Sequence, residues 1–116
     1  MTITRIDPAD RWSEAVIHEN VIYYTSVPTN LVNDAYLQTQ SALAEIDKIL
    51  ARANSDKTRI LDVTLFLVNK SDFAAMNKAW DEWVAKGKAP VRCTVQAGLM
   101  KVEYLVEIKI VAAVNQ

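Results

Sequence analysis

The segment Val91-Arg92-Cys93-Thr94-Val95-Gln96 sets an arginine inside a run of otherwise core-like, β-branched residues. In a strand, successive side chains alternate, so Arg92, Thr94 and Gln96 point to one side and Val91, Cys93 and Val95 to the other. A guanidinium drawn out of water is costly without a partner, and its planar fork matches a carboxylate through two parallel hydrogen bonds. Arg92 is therefore either half of an internal ion pair or a receptor for an anionic ligand. Glu107 lies in the strand-like run Leu105 to Val114 and shares a face with Leu105 and Lys109. It is the candidate partner, and two roles are open to it: a rim pair with Lys109, worth little, or a general base acting on water beside a bound electrophile.

The other reactive side chains read more plainly. Cys93 points away from Arg92 and has no histidine near it in sequence to activate it, so it is expected as a small core residue. His18 ends a strand before a turn, where a solvated or capping role is expected. Trp80 and Trp83 obey helix-core spacing, whereas Trp12 falls outside any periodic pattern and either walls a pocket or packs. One cysteine and one histidine leave no zinc-ligand set and no intrachain disulfide. The chain has no GxGxxG, GxxxxGK[ST], HExxH or GxSxG motif, so most cofactor enzymes lose support.

The elements that must position these residues follow from apolar periodicity and turn chemistry. Ser13 to His18 and Val21 to Thr25 are short apolar runs joined by Glu19-Asn20, which predicts a β-hairpin, and Val27-Pro28-Thr29-Asn30 breaks the second strand. From Asp34 to Ala53 the apolar residues recur at helical steps, with Asn33 or Asp34 as N-cap and Asn54 as a left-handed stop. Ile60 to Val68 reads as a strand with Leu61, Val63, Leu65 and Leu67 on one face. A second helix capped by Ser71 or Asp72 carries Phe73, Met76, Trp80, Trp83 and Val84, and Gly87 ends it before Pro90. Val91 to Ala97 and Leu105 to Val114 complete the set as two strands connected through Gly98.

The order ββαβαββ implies one α+β domain over residues 1–116, a mixed sheet with two helices on one face. Phe66, Val106, Ile108 and Ile110 give the sheet more apolar surface than two helices would cover, which predicts a homo-oligomer packed sheet to sheet. Thirteen basic against 14 acidic side chains give a net charge of −1, and the basic residues are scattered singly. No field exists to gather nucleic acid or anionic lipid, so no nucleic-acid or membrane partner is expected. The charged N-terminal stretch has no apolar core of a signal peptide and no run of about 18 apolar residues occurs, so a cytoplasmic protein is expected.

Pro90-Val91-Arg92-Cys93-Thr94-Val95, then Val106-Glu107-Ile108 and Val111-Ala112-Ala113, resembles the C-terminal signature of the Rid family of enamine/imine deaminases. Asn20 to Ser26 is similar to that family's first hairpin, and Leu61-Asp62-Val63-Thr64 and Asp72 to Asn77 to its strand and second helix. The resemblance implies a chorismate-mutase-like homotrimer with sites in clefts between subunits and no cofactor. It also implies hydrolysis of small 2-imino or 2-enamino acids, of the 2-aminoacrylate or 2-iminobutyrate type, to 2-keto acids and ammonia. The family's carboxylate-binding arginine falls on Arg92 and its water-positioning glutamate on Glu107, with Thr94 and Trp12 at substrate-contacting positions. Trp12 stands where the family carries a tyrosine, Thr94 where it carries a cysteine, and Ser26-Val27 near its usual glycine. Those departures fit an altered substrate or, as the alternative, a non-catalytic protein that binds or senses small carboxylic and 2-keto acids.

Overall fold

The computed structural model describes residues 2–114. They form β1 (Ile3–Pro8), β2 (Ser13–His18), β3 (Val21–Ser26), α1 (Ala35–Arg52), β4 (Ile60–Leu67), α2 (Phe73–Trp83), β5 (Val91–Gln96) and β6 (Val106–Ala113), with short 3-10 turns at Lys57–Arg59 and Lys70–Asp72. Glu19 and Asn20 both take positive φ, 50° and 66°, as a two-residue hairpin turn matched to the twist of its strands requires. The Asp34 carboxylate accepts from the Leu37 amide at 2.9 Å and starts α1, and Asn54 at φ 54° stops the chain just past its end.

All six strands join one sheet in the order β1-β2-β3-β6-β4-β5. Only β4 and β5 run parallel, as their connection through α2 demands, and β6 is antiparallel to both of its neighbours, β3 and β4. Both helices cover one face, where Ile22, Val63, Leu65, Ile108 and Ile110 meet Leu43, Ile46, Leu50 and Met76 with none more than 1% exposed. The α+β layer pair is as expected, with corrections of detail.

The element order along the chain is βββαβαββ rather than ββαβαββ. β1 shows no alternation, because Ile3 and Ile6 fall on opposite faces, and only Ile6, opposite Ala15, reaches the core. It is a polar edge strand held by pairing rather than by burial. Leu61 does not share the face of Val63: a bulge between Ile60 and Asp62 turns it outward and leaves it 49% exposed. Val106, Ile108 and Ile110 lie wholly beneath the helices. Of the four residues expected on the uncovered face only Phe66 lies there, with Val16, Tyr23, Val95 and Val111, all at least partly exposed.

Gln38 on α1 is fully buried and ties two loops together. Its Nε2 donates to Val32 O at 3.0 Å and to Glu103 O at 2.8 Å, while its Oε1 accepts from the Leu105 amide at 2.8 Å. Removing one partner of a buried hydrogen bond costs about 1–3 kcal/mol for each group left unpaired. Gln38→Leu is therefore expected to lower stability by about 3 kcal/mol in urea unfolding; a change below about 1 kcal/mol would show that water readily replaces the amide.

Candidate functional site

β5 is an edge strand and borrows its sidedness from β4. The register sets Arg92 opposite Val63, Thr94 opposite Leu65 and Gln96 opposite Leu67. Since those three β4 side chains are buried under the helices, their β5 partners face the helix side as well. Arg92 is half-buried there, with its guanidinium carbon 5.3 Å from the centroid of the Trp80 ring. Trp80, 5% exposed, thus serves both as core and as a shelf for a cation. Partial burial holds the Arg92 pKa below its usual value, opposed by the negative charge of Asp81; a guanidinium stays protonated regardless.

The internal ion pair does not form. The ion pairs among the described residues are His18 with Glu19, Lys48 with Glu45 and Arg52 with Asp7, and neither Arg92 nor Glu107 takes part. Beside Arg92, the Thr94 hydroxyl oxygen is buried and has no hydrogen-bond partner among the described residues. Thr94 and Gln96 then line, with Leu67, Lys70 and Phe73, an open pocket of about 370 Å³. Phe73 and Trp80 are seven residues apart on α2, and Asn77, half-buried, falls on the stripe between them. The helical period placed Phe73 on the apolar stripe of α2 and passed over Lys70, which sits in the turn before that helix where no periodic pattern marks it.

Glu107 is elsewhere. It pairs with Phe66, which pairs in turn with Val95, so all three lie on the open face, opposite to Arg92. Two strand spacings, roughly 10 Å, three residues along β5, about 10 Å more, and the thickness of the sheet separate Glu107 from Arg92 within one chain. Trp12 lies in the β1–β2 connection, closed by the Ala9 amide donating to Trp12 O at 2.8 Å, and is 66% exposed. It walls a shallow pocket of about 220 Å³ that includes Tyr23, Thr25 and Lys109. Lys109 pairs with Thr25, and Glu107 precedes it by two residues on the same face. Trp12 and Glu107 therefore belong to the open face, while Arg92 and Thr94 belong to the helix side of the far edge, four strand spacings or roughly 19 Å from β2.

Cys93 is a correction: it is exposed, because its side of β5 has no helix above it, and its Sγ lies 3.8 Å from Thr64 Oγ1. Among the described residues no three His, Cys, Asp or Glu side chains gather to hold a metal ion, and no helix is long and apolar enough to cross a membrane.

Residues 2–114 match the family described as endoribonuclease L-PSP. Over 114 residues, 98% of this chain and 100% of the relative, the sequence is 64% identical to RutC family protein YoaB of Escherichia coli strain K12. A crystal structure of a YjgF family member from Neisseria meningitidis superposes with a TM-score of 0.96 at 41% identity, over 100% of this chain and 98% of the other. A protein named 3-aminoacrylate deaminase RutC, from Acinetobacter baylyi, is 35% identical over 83 residues, 72% of this chain and 65% of its own length.

An arginine bound to a buried carboxylate would lose about 3–5 kcal/mol of stability when the pair is broken. Arg92 has no such partner, and a methionine would keep the contact of its stem with Trp80 while removing a charge that burial disfavours. Arg92→Met is expected to shift unfolding stability by less than about 1 kcal/mol in either direction, the size of a partly exposed cation–π contact; a loss of 3 kcal/mol or more would reinstate a structural ion pair.

Proposed function

The chain belongs to the endoribonuclease L-PSP family, in which YjgF and RutC proteins are grouped, and from that starting point we propose that it hydrolyses small 2-imino and 2-enamino acids to 2-keto acids and ammonia. The observation that carries this reading is Arg92, a half-buried guanidinium on an aromatic shelf without a carboxylate of its own. An α-carboxylate docking there would supply the missing partner through two charge-assisted bonds, and the unpartnered Thr94 hydroxyl stands ready to donate a third. The Acinetobacter relative's name gives a small enamino acid as that protein's substrate, which agrees with an anchor for one short carboxylic acid.

The chemistry asks little of the protein. An enamine tautomerises to its imine, water adds to the imine carbon, and the resulting carbinolamine expels ammonia and leaves a ketone. Free imines already hydrolyse in water, so fixing the carboxylate and holding one water in line suffices, with no covalent intermediate. Glu107 is the group proposed to accept the proton of that water and return it to the departing nitrogen. Because one chain holds Arg92 and Glu107 on opposite faces, the proposed site takes Arg92 and Thr94 from one subunit and Glu107 and Trp12 from its neighbour. The apolar open face is what would bring subunits together, in a homotrimer with three such clefts. The cytoplasm is the proposed location.

A second reading keeps the cleft and drops the turnover. Trp12 offers an aromatic wall without a hydroxyl, and Ser26 has its hydroxyl committed to Ala42 O at 2.7 Å in the core, so neither adds acid–base chemistry. A binding or sensing protein for 2-keto acids would use Arg92 alone. Nuclease activity draws no support from a net charge of −1.

The test is loss of imine in a threonine dehydratase reaction with semicarbazide as competing trap. Wild-type protein is expected to accelerate imine loss, and Arg92→Ala and Glu107→Gln each to reduce the effect about 100-fold, the size of a lost charge-assisted anchor or general base. Mixing the two inactive variants under subunit exchange should restore activity at about a quarter of the clefts, those that draw intact residues from both variants. No recovery would place each site within one subunit; saturable 2-ketobutyrate binding without turnover would favour the sensor, and neither binding nor turnover would defeat both readings.

A further inference from the structure

We propose that Asp47, an exposed residue of α1, is a positioning residue for the carboxylate anchor and acts on Arg92 through Trp83 and Trp80. The proposal rests on the reading of Arg92 as that anchor and adds a residue outside the cleft that sets how the guanidinium is presented.

Four side chains from three elements follow one another in contact. The Asp47 carboxylate accepts from Trp83 Nε1 at 2.9 Å. The Trp83 ring lies 5.5 Å from the Trp80 ring, with the two planes tilted by 52°. The Arg92 guanidinium carbon sits 5.3 Å from the Trp80 centroid. Among the described residues no ion pair holds the Arg92 fork, so the Trp80 face and the charge of Asp81 are what orient it. Anything that moves the Trp80 ring moves the surface on which the guanidinium rests.

The relay needs its Asp47 end because packing alone does not hold Trp83. Trp83 is the last residue of α2, only half-buried, and the backbone leaves the helix at Val84. Beside its ring runs a groove of about 260 Å³ between the two helices, where Ala44 and Ala79 are too small to fill the space. An indole at a helix end with room beside it has more than one rotamer open to it. Two contacts select one: the Lys57 ammonium, 5.3 Å from the ring centroid, and the Asp47 bond. The ammonium attracts the face of the ring from many directions, whereas the charge-assisted bond to Asp47 fixes which way the N–H points. With Trp83 held, Trp80 keeps the tilt that offers its face to β5.

The experiment reads Arg92 directly, by NMR relaxation of its Nε–H group in the ligand-free full chain, beside 2-ketobutyrate binding by calorimetry and stability in urea. Asp47→Leu and Trp83→Phe delete the bond from opposite sides. Each should loosen the Arg92 Nε–H and weaken 2-ketobutyrate about 5-fold, the yield of a partly exposed cation–π contact. The double variant should be no worse than either single one, as two ends of one interaction require. Asp47→Asn keeps an acceptor for the indole and should retain the wild-type order and affinity. Should Asp47→Leu fail to fold, Trp83→Phe carries the same test. An Arg92 Nε–H equally mobile in wild type and both variants overturns the proposal, as do additive losses in the double variant. A loosened Arg92 that binds 2-ketobutyrate as well as before overturns it too. Loosening of Arg92 in the variants, with no 2-ketobutyrate binding by wild type, would sustain the relay and overturn the carboxylate anchor.

Discussion

A half-buried guanidinium in an edge strand, turned toward the helices, is the constraint on which the candidate site depends. Its charge needs a surface that tolerates it, and the face of Trp80 is that surface. Trp80 can serve because α2 crosses directly over β4 and β5, and α2 is so placed because it connects two parallel, adjacent strands. Trp83, 5.5 Å from Trp80 and donating to Asp47 on α1 at 2.9 Å, braces the shelf from behind. The position of Arg92 is thus fixed by packing, and its charge feels Asp81 without forming an ion pair among the described residues.

What could be read from the sequence was local. The Glu19-Asn20 turn, the Asp34 cap and the Asn54 stop each depend on a few neighbouring residues, and the structure reproduces them. The alternation that sets Arg92, Thr94 and Gln96 on one side of β5 is equally local and holds. Which side of a strand a helix covers is not local, and that is why Cys93 was expected in the core and lies outside it. Leu61 fails for a related reason: one bulge residue resets the alternation, and nothing in ILDVTLFLV marks where it falls. β1 was missed because pairing with β2, not an apolar face, holds it.

The candidate site divides along the same line. Arg92, Thr94 and Glu107 could be named from residue type and family resemblance, but their relation could not, because it depends on β6 entering the sheet between β3 and β4. That insertion sets Glu107 on the open face beside Phe66 and leaves Arg92 beyond β4 on the helix side. Strand alternation within each segment was correct for both residues. Their separation is a property of sheet order, which short-range patterns do not encode.

The place of β6 also bears on how the chain reaches this state. β1, β2 and β3 form a local meander, and β4, α2 and β5 form a second local unit, but no strand of the first touches a strand of the second. Every hydrogen bond that makes them one sheet passes through β6, whose partners in β3 lie more than 80 residues earlier in the chain. Contacts that distant form slowly, because the intervening chain must be ordered before they repay its entropy. Until β6 is made and inserted, the two units have only α1 and α2 to hold them together, and each exposes, besides its outer edge, the inner edge that β6 will cover, β3 in one and β4 in the other. For a chain leaving the ribosome, that interval is the one in which another copy's β6 could take the vacant place, and the speed of that insertion decides between a closed sheet and an exchanged one.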